Sequence, residues 1–393
     1  MQLKENAELL GITEYPEGAE AVYAALPPDD GKLYSEEYLD ALHAEYGVLA
    51  GVYDEVMEGA RALADRPELC LWGRLAVACF GAGLPKALPM PEPDGTKGGD
   101  LLAYLVLLQL VPAAYQRYRD RGFSHEVAMD SIGNIPISLK AAWVRIGRPA
   151  IDGLIYSWIQ CFTGASIYRY HSLNFQPCKL GAHMVVLRNR ESGECRVVMA
   201  SGSFHRTGRA LGSSGFKDED GSFEADFRET EEGFFGHVAE EALADPTVSF
   251  FPKSKWECVL REGDFVINLH IPRGSDLSSE AVRESLDGGM ALARSLYPDR
   301  EVKGAVCYSW LLDPIHEELL GKDAKITRFM RLFSTFPLRD SGGAAVTRVF
   351  PACERRPVSE YPEDTTLQRR LKQHMLNGAY LYNTGGVILD TLL

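Results

Sequence analysis

Apolar positions recur at two different intervals along the chain, and the interval changes near residue 165. Up to that point the spacing is helical. Residues 35–64 carry Tyr38, Leu39, Leu42, Tyr46, Leu49, Val52, Tyr53 and Val56 at helical intervals, behind Ser35 and Glu36-Glu37, which suit a helix start. Residues 69–80, 101–119 and 124–134 read as further helices, and 137–158 as helix interrupted at Gly147-Arg148-Pro149. Residues 81–99 are rich in Pro, Gly and charge and read as a surface loop. The most apolar run, 101–115, is too short to cross a bilayer and is expected to be a buried helix.

Beyond 165 the pattern becomes strand-like. Residues 183–187 and 195–200 are β-branched runs joined by a polar turn, a hairpin signal. The stretch 202–233 is rich in glycine and charge, and its Asp218, Glu219 and Asp220 read as part of a solvated loop. A short helix is expected at 234–244, and a hairpin of 256–260 with 264–271 about Arg261-Glu262-Gly263. Later come a strand at 344–350, a helix at 367–377 and a last strand at 380–389, kinked at Gly385-Gly386.

The best-punctuated stretch is 263–336. Phe265, Ile267, Leu269 and Ile271 alternate with polar or small residues, as on a half-buried strand, and Pro272-Arg273-Gly274-Ser275 breaks it. The next helix has Ser278 as N-cap and Leu277 and Val282 at staple spacing. Its buried face is Val282, Leu286, Ala293 and Leu296, and Pro298 stops it. A second strand, 302–312, is more apolar and so expected to be central, and Asp313-Pro314 opens another helix. This is a strand–helix–strand–helix unit of an α/β domain.

With 46% hydrophobic and 24% charged residues, the composition is that of a globular chain, and 393 residues can fill two cores. We divide it into a helical part, 1–165, and a mixed part, 166–393. A net charge of −14 with no basic run argues against a nucleic-acid partner, and nothing suggests a membrane partner. The eight cysteines are scattered without metal-ligand spacing, so no metal is expected. The first residues lack the apolar core of a secretory signal, and a cytoplasmic protein with reduced thiols is the expectation.

A helical half followed by INLHIPRGSDLSSEAVRESL, VCYSWLLDP and ITRFMRLF resembles a bacterial two-domain acyltransferase family. That family joins a helical N-terminal domain to a C-terminal domain of the GNAT N-acetyltransferase fold. The similarity is most specific over 266–333, where HIP and SWLLDP recur as fixed words, weaker at 366–378, and weakest in the first half. It implies an α/β (α+β) protein: a helical domain, then a GNAT-like mixed β-sheet domain with flanking helices. It also implies an acyl-CoA-dependent N-acyltransferase acting on a small amine, with acetyl-CoA or another acyl-CoA as co-substrate.

By the same resemblance, strands 266–271 and 302–311 splay apart to admit the pantetheine arm. The backbone of Asn268, Leu269 and Ile271 would bond that arm, and Arg273, Gly274, Ser275 and Ser278 would receive the pyrophosphate. The turn departs from the usual phosphate loop in having a single glycine and an Asp276 that would repel phosphate. A plain capped strand-to-helix turn is the alternative.

Candidate catalytic groups lie at the two strand ends. His270 is a candidate general base, or else a structural histidine. On the second strand Cys307 and Ser309 face one way, Tyr308 and Trp310 the other. Ser309 or Tyr308 is a candidate acid for a departing thiolate. Cys307 is either a small buried residue or, with His270 as its base, a covalent acyl carrier. Asp313 reads as a helix cap, and Trp256 and Trp310 as core. His205-Arg206, in SGSFHRTGRALGSSG, reads as a solvated loop or a receptor for an anionic or sugar-like acceptor. A non-catalytic relative that binds a small molecule or a protein partner is the alternative to a transferase.

Overall fold

The computed structural model describes residues 2–84, 86–217, 221–353 and 355–389. Asp218, Glu219 and Asp220, expected in a solvated loop, lie outside the described residues. The chain forms two compact units, Met1–Arg169 and Tyr170–Leu393.

The first unit is helical throughout: α1 (Leu3–Leu9), α2 (Ala19–Ala24), α3 (Glu36–Tyr46), α4 (Tyr53–Ala64), α5 (Pro67–Gly81), α6 (Lys97–Gln109), α7 (Val111–Asp120), α8 (His125–Ile132), α9 (Asn134–Ile146) and α10 (Gly153–Thr163). Ser35, Thr96, Ser124 and Asp152 each accept an N–H of the first turn they precede. The run 35–64 is two helices, not one, because Gly47 adopts a left-handed C-cap (φ 69°). The run 101–119 also divides, since Pro112, in the first turn of α7, has no N–H to continue the ladder. Together α6 and α7 span Lys97–Asp120, long and apolar enough by composition to cross a membrane, so shortness is the wrong reason for reading a core helix. Burial is the right one: 72% of the most apolar window is inside the protein. Buried tyrosines tie the helices together, Tyr104 donating to Val48 O (2.7 Å) and Tyr118 to Ile167 O (2.5 Å).

The strands begin with β1 (Tyr168–Tyr170), which straddles the division, and continue in the second unit with β2 (Leu173–Lys179), β3 (Met184–Asn189), β4 (Cys195–Met199), β5 (Ser201–Phe204), β6 (Phe223–Asp226), β7 (Arg228–Glu229), β8 (Gly233–Glu240), β9 (Leu243–Pro252), β10 (Trp256–Leu260), β11 (Phe265–His270), β12 (Gly304–Ser309), β13 (Ser334–Pro337) and β14 (Thr384–Leu389). A mixed sheet runs β1-β2-β11-β12-β14-β13, with β11 and β12 parallel. A second, antiparallel sheet runs β10-β3-β4-β8-β7, with β9 also on β8. Flanking helices are α11 (Ser279–Leu296), α12 (Ile315–Leu320), α13 (Lys325–Met330), α14 (Gly343–Val349) and α15 (Thr366–Leu376). The expected fold class, helices first and then a mixed sheet with flanking helices, is the observed one.

Several local expectations are overturned. Residues 234–244 are not a helix: β8 and β9 form a hairpin about Glu241 and Ala242, both left-handed (φ 49° and 60°). Phe234, Phe235 and Val238 favour a pleated surface, and this two-residue turn has the twist that hairpins prefer. The hairpin expected of 256–260 with 264–271 does not form either. β10 pairs with β3 and β11 with β2, so the chain turns a corner between two sheets. That corner is held by Arg261 N–H on Asp264 Oδ2 (2.8 Å) and by Gly263 N–H on Leu180 O (2.8 Å). The polar stretch 202–233 contains β5, β6 and β7 rather than only loop.

Residues 344–350 are helical, not extended, because Ala345 and Val349, one turn apart, both enter the small core formed with Phe350, Tyr361 and Leu371. β11 is covered on both faces, with Val266, Ile267 and Leu269 all buried, where alternation suggests a half-buried strand. Val266, Val306, Phe336 and Val387 share one core with Met184, Val186 and Val197 of the second sheet.

Gly385 and Gly386 do not kink the last strand, which pairs continuously with β12 and β13. They admit neighbours instead: a Cβ on Gly385 would run into the Phe336 ring, and one on Gly386 would lie 2.7 Å from Leu312 Cδ1. Gly385→Ala is therefore expected to destabilise the protein by about 1–3 kcal/mol through overpacking. Urea unfolding checks this, and an unchanged midpoint would mean that the Phe336 ring has room to move.

Candidate functional site

The parallel ladder between β11 and β12 is short. It pairs Ile267 with Ala305, Asn268 with Val306 and Leu269 with Cys307, and there it ends. Each strand continues on its outer neighbour alone, His270 opposite Asn174 on β2, Tyr308 and Ser309 opposite Gly385 and Thr384 on β14. The pairing of the two strands therefore stops just past Leu269 and Cys307, the place where the resemblance puts the splay.

Residues opposite one another in a ladder share a face of the sheet. On that rule Asn174, Gln176, Asn268, His270 and Tyr308 lie on one face, at the carboxyl ends of the two parallel strands. His270 Nε2–H donates to Gln176 Oε1 at 2.9 Å, and Asn268 Nδ2–H reaches the same oxygen at 3.5 Å. Asn268 Oδ1 is buried and has no hydrogen-bond partner, a cost of about 1–3 kcal/mol that a ligand's N–H would remove. Burial lowers the His270 imidazole to about 4, so it is neutral at pH 7. Tyr308 is 38% exposed, and its phenol is pushed up to about 12, chiefly by partial burial, so it stays protonated. A neutral imidazole and a protonated phenol on one face can accept and donate a proton.

The other strand candidates do not join this face. Cys307 is 1% exposed, faces the opposite way, and burial pushes its thiol up to about 12. It is not exposed beside His270, as a covalent route would need. Ser309 shares the Cys307 face, and its Oγ accepts Leu311 N–H (3.2 Å), capping the short turn Trp310–Leu312. Asp313 is fully buried and accepts from Tyr382 N–H (2.9 Å), Ile315 N–H (3.2 Å) and Arg209 (3.4 Å). The word SWLLDP is in this way a structural clamp on the end of β12. Trp310 packs against His316, and Trp256 against Phe251.

The turn after β11 is occupied by its own side chains. Leu269 is buried, Ile271 half-buried, and Arg273 and Gly274 are exposed, the glycine at φ 81°. Ser275 Oγ–H donates to Ser172 O (2.7 Å). Ser278 caps α11 by accepting Ala281 N–H (3.4 Å). Asp276 accepts the backbone N–H and the hydroxyl of Ser278 (2.9 and 2.8 Å) and pairs with Lys325 (2.8 Å). The Lys325 ammonium first, then Ser278, holds that carboxylate down to about 2. The turn therefore carries an anion of its own, matched by a lysine that the sequence does not suggest.

His205 is buried rather than solvated, which corrects the expected open loop. Its Nδ1 lies 2.9 Å from Thr207 Oγ1, and its ring lies against Phe216. Arg209 is spent on Asp313 and the Tyr382 ring, while Arg206 alone is exposed. A cleft of about 1010 Å³ opens elsewhere on this unit, between Glu240–Glu241 and Glu317–Glu318. None of the expected site residues lines it, and ion pairs such as Arg331–Glu317 and Arg196–Glu240 already balance much of its charge. Its size is no reason to prefer it over the polar face where the ladder ends.

Sequence reading misses Asn174, Gln176 and the Asn268 side chain. Their signal is the alternation of Asn174 and Gln176 in an otherwise apolar strand, which means nothing until register sets it beside Asn268 and His270.

Known proteins resemble this chain at the level of family and fold. A family described as GNAT-like C-terminal domain matches residues 167–388, and one described as N-acyltransferase N-terminal domain matches residues 4–163. A solved acyltransferase in complex with decanoyl-CoA and teicoplanin is similar over 99% of both chains, with a TM-score of 0.66 at 17% identity. An acyltransferase mutant in complex with octanoyl-CoA aligns over the same shares (TM-score 0.66, 16% identity). A complex with CoA and 10C-teicoplanin does likewise (0.65, 16%). At these identities the likeness is one of fold. No curated protein matches the chain.

The burial of His270 makes a prediction about stability. Its value falls from an ordinary 6.5 in the unfolded chain to about 4 when folded, so acid protonates the unfolded chain first. The stability that neutral His270 retains above pH 6.5 is lost as pH falls toward 4, up to about 3 kcal/mol. His270→Gln should remove that share of the acid sensitivity. Denaturant unfolding of both proteins from pH 7 to pH 4 measures the difference, and parallel slopes would mean that His270 is hydrated like a free imidazole.

Proposed function

The chain belongs to the family that joins an N-acyltransferase N-terminal domain to a GNAT-like C-terminal domain, and from that premise we propose that it moves an acyl group from acyl-CoA to a small amine. One observation supports this above the rest: the polar face of Gln176, Asn268, His270 and Tyr308 lies where the ladder between β11 and β12 ends. In this reading the pantetheine arm lies along the β11 backbone from Asn268 to Ile271, beyond the end of the ladder. The amine nitrogen attacks the thioester carbonyl carbon, forming the C–N bond. His270 takes the nitrogen's proton, the C–S bond breaks, and the leaving thiolate takes the Tyr308 phenol proton. The products are an amide and free CoA. Asn268 Oδ1 is suited to accept an N–H from the bound amine or the pantetheine amide. The solved proteins of the same fold hold decanoyl-CoA, octanoyl-CoA and teicoplanin, which favours a medium-length acyl chain and a small-molecule acceptor. Free thiols and a CoA donor go with a cytoplasmic protein.

A second reading, a non-catalytic relative, draws support from Asp276, whose carboxylate binds the N-cap Ser278 and Lys325 at the turn where a pyrophosphate would be expected. Arg273→Glu tests the turn itself: it should weaken CoA binding while leaving the fold intact, and unchanged CoA affinity would remove Arg273 from the site.

The test is calorimetric titration with acetyl-, octanoyl- and decanoyl-CoA, followed by a thiol-release assay over a panel of amines. We expect micromolar binding, and a loss of about 10²-fold or more in kcat for Tyr308→Phe with little change in KM. The pH profile of kcat/KM should show no enzyme limb between the His270 value near 4 and the Tyr308 value near 12. No binding at millimolar acyl-CoA would remove the transferase reading.

A further inference from the structure

We propose that the helical unit carries a second ligand site, which takes the carboxylate end of an aliphatic chain. It stands apart from acyl transfer and does not rest on it. The site is a cavity of about 330 Å³ between α5, the segment after it, α7 and α10. That volume has room for about ten groups of water or methylene size. Its walls are largely apolar, with Ala76, Cys79, Phe80, Leu84 and Leu88 among them. Its polar lining comes from Arg117, Tyr156, Gln160 and Lys86.

Arg117 is the informative member. Its guanidinium lies over the Phe80 ring at 4.5 Å and donates one bond, to Thr163 O at 3.1 Å. A guanidinium has five N–H donors, so most of its capacity remains unused. Among the described residues it makes no ion pair with a carboxylate, and the charge that acts on it is Arg121, of the same sign. Burial and that neighbour together lower its value, the mark of a cation lacking an anion. Tyr156, which lines the same cavity, is 5% exposed, and its phenol is pushed up to about 12 by burial, so it remains protonated. One cation and a neutral donor suit a monoanion better than a phosphate, and the apolar walls suit its tail. Lys86, exposed at the rim, adds positive charge to the entrance.

Decanoate, decanol and acetate are the probes, titrated into the full-length protein by calorimetry below micelle-forming concentrations. Decanoate should bind at one equivalent, about tenfold or more tighter than decanol, and acetate should not register. Arg117→Gln should erase the preference for decanoate over decanol, and Arg117→Lys should keep part of it. Equal affinities for decanoate and decanol in the wild type, or undiminished decanoate binding by Arg117→Gln, would overturn the site. Arg117 also holds the Thr163 carbonyl at the end of α10, so a second variant guards against a failure of Arg117→Gln to fold. Ala87→Trp, at the exposed mouth, then decides. Lost decanoate binding with an unchanged melting temperature supports the site, and undiminished binding overturns it.

Discussion

The chemistry available to the second unit depends on where one parallel ladder stops. Three register pairs join β11 to β12, and beyond them each strand ends at a different local feature. On β11 it is Pro272, which has no N–H to give and ends the strand. On β12 it is Ser309, whose hydroxyl caps a tight turn at Trp310, with Asp313 buried behind it as a three-way acceptor. β2 and β14 hold the outer edges in register, so the end of the ladder does not cost either strand its sheet. The sheet face at this ladder end is polar because β2 and β11 bring their side-chain amides and imidazole together there.

What is legible in the sequence is local. The capping hydroxyls of Ser35, Ser124 and Ser278, the stop at Pro298 and the amphipathic face of α11 all act within one or two turns, and each is where periodicity puts it. The change from helical to strand spacing marks the change of fold class for the same reason. Register is not local, and the errors arise from that. β10 and β11 are adjacent runs with a glycine between them, and only their partners elsewhere in the chain decide that they belong to different sheets. The 234–244 segment has enough alanine and glutamate to look helical until its aromatics meet β9.

The candidate site shares this limit. His270 and Tyr308 stand out by residue type, but Gln176, which orders His270, lies 94 positions away. Asp276 looks hostile to a phosphate in the sequence, and Lys325, which alters that balance, comes from 49 positions on. The division of roles on β12 is readable in part: alternation separates Cys307 from Tyr308, while which face holds the polar wall requires the ladder.

The burial that orders His270 also limits what it can do. An imidazole held near 4 is a poor base for a free alkylammonium, whose ordinary value is about 10. Proton removal before attack is therefore uphill at this site. Once the amine nitrogen has bonded to the carbonyl carbon, however, it bears positive charge beside an oxyanion and becomes far more acidic. A weak, neutral and oriented base is adequate at that later stage. The same dry surroundings that depress the imidazole strengthen every fixed dipole aimed at the oxyanion. On this argument the face between β11 and β12 would work by positioning and carbonyl polarisation, with proton transfer coming after bond formation. The hydrogen bond from His270 to Gln176 then matters for the ring's orientation more than for its basicity.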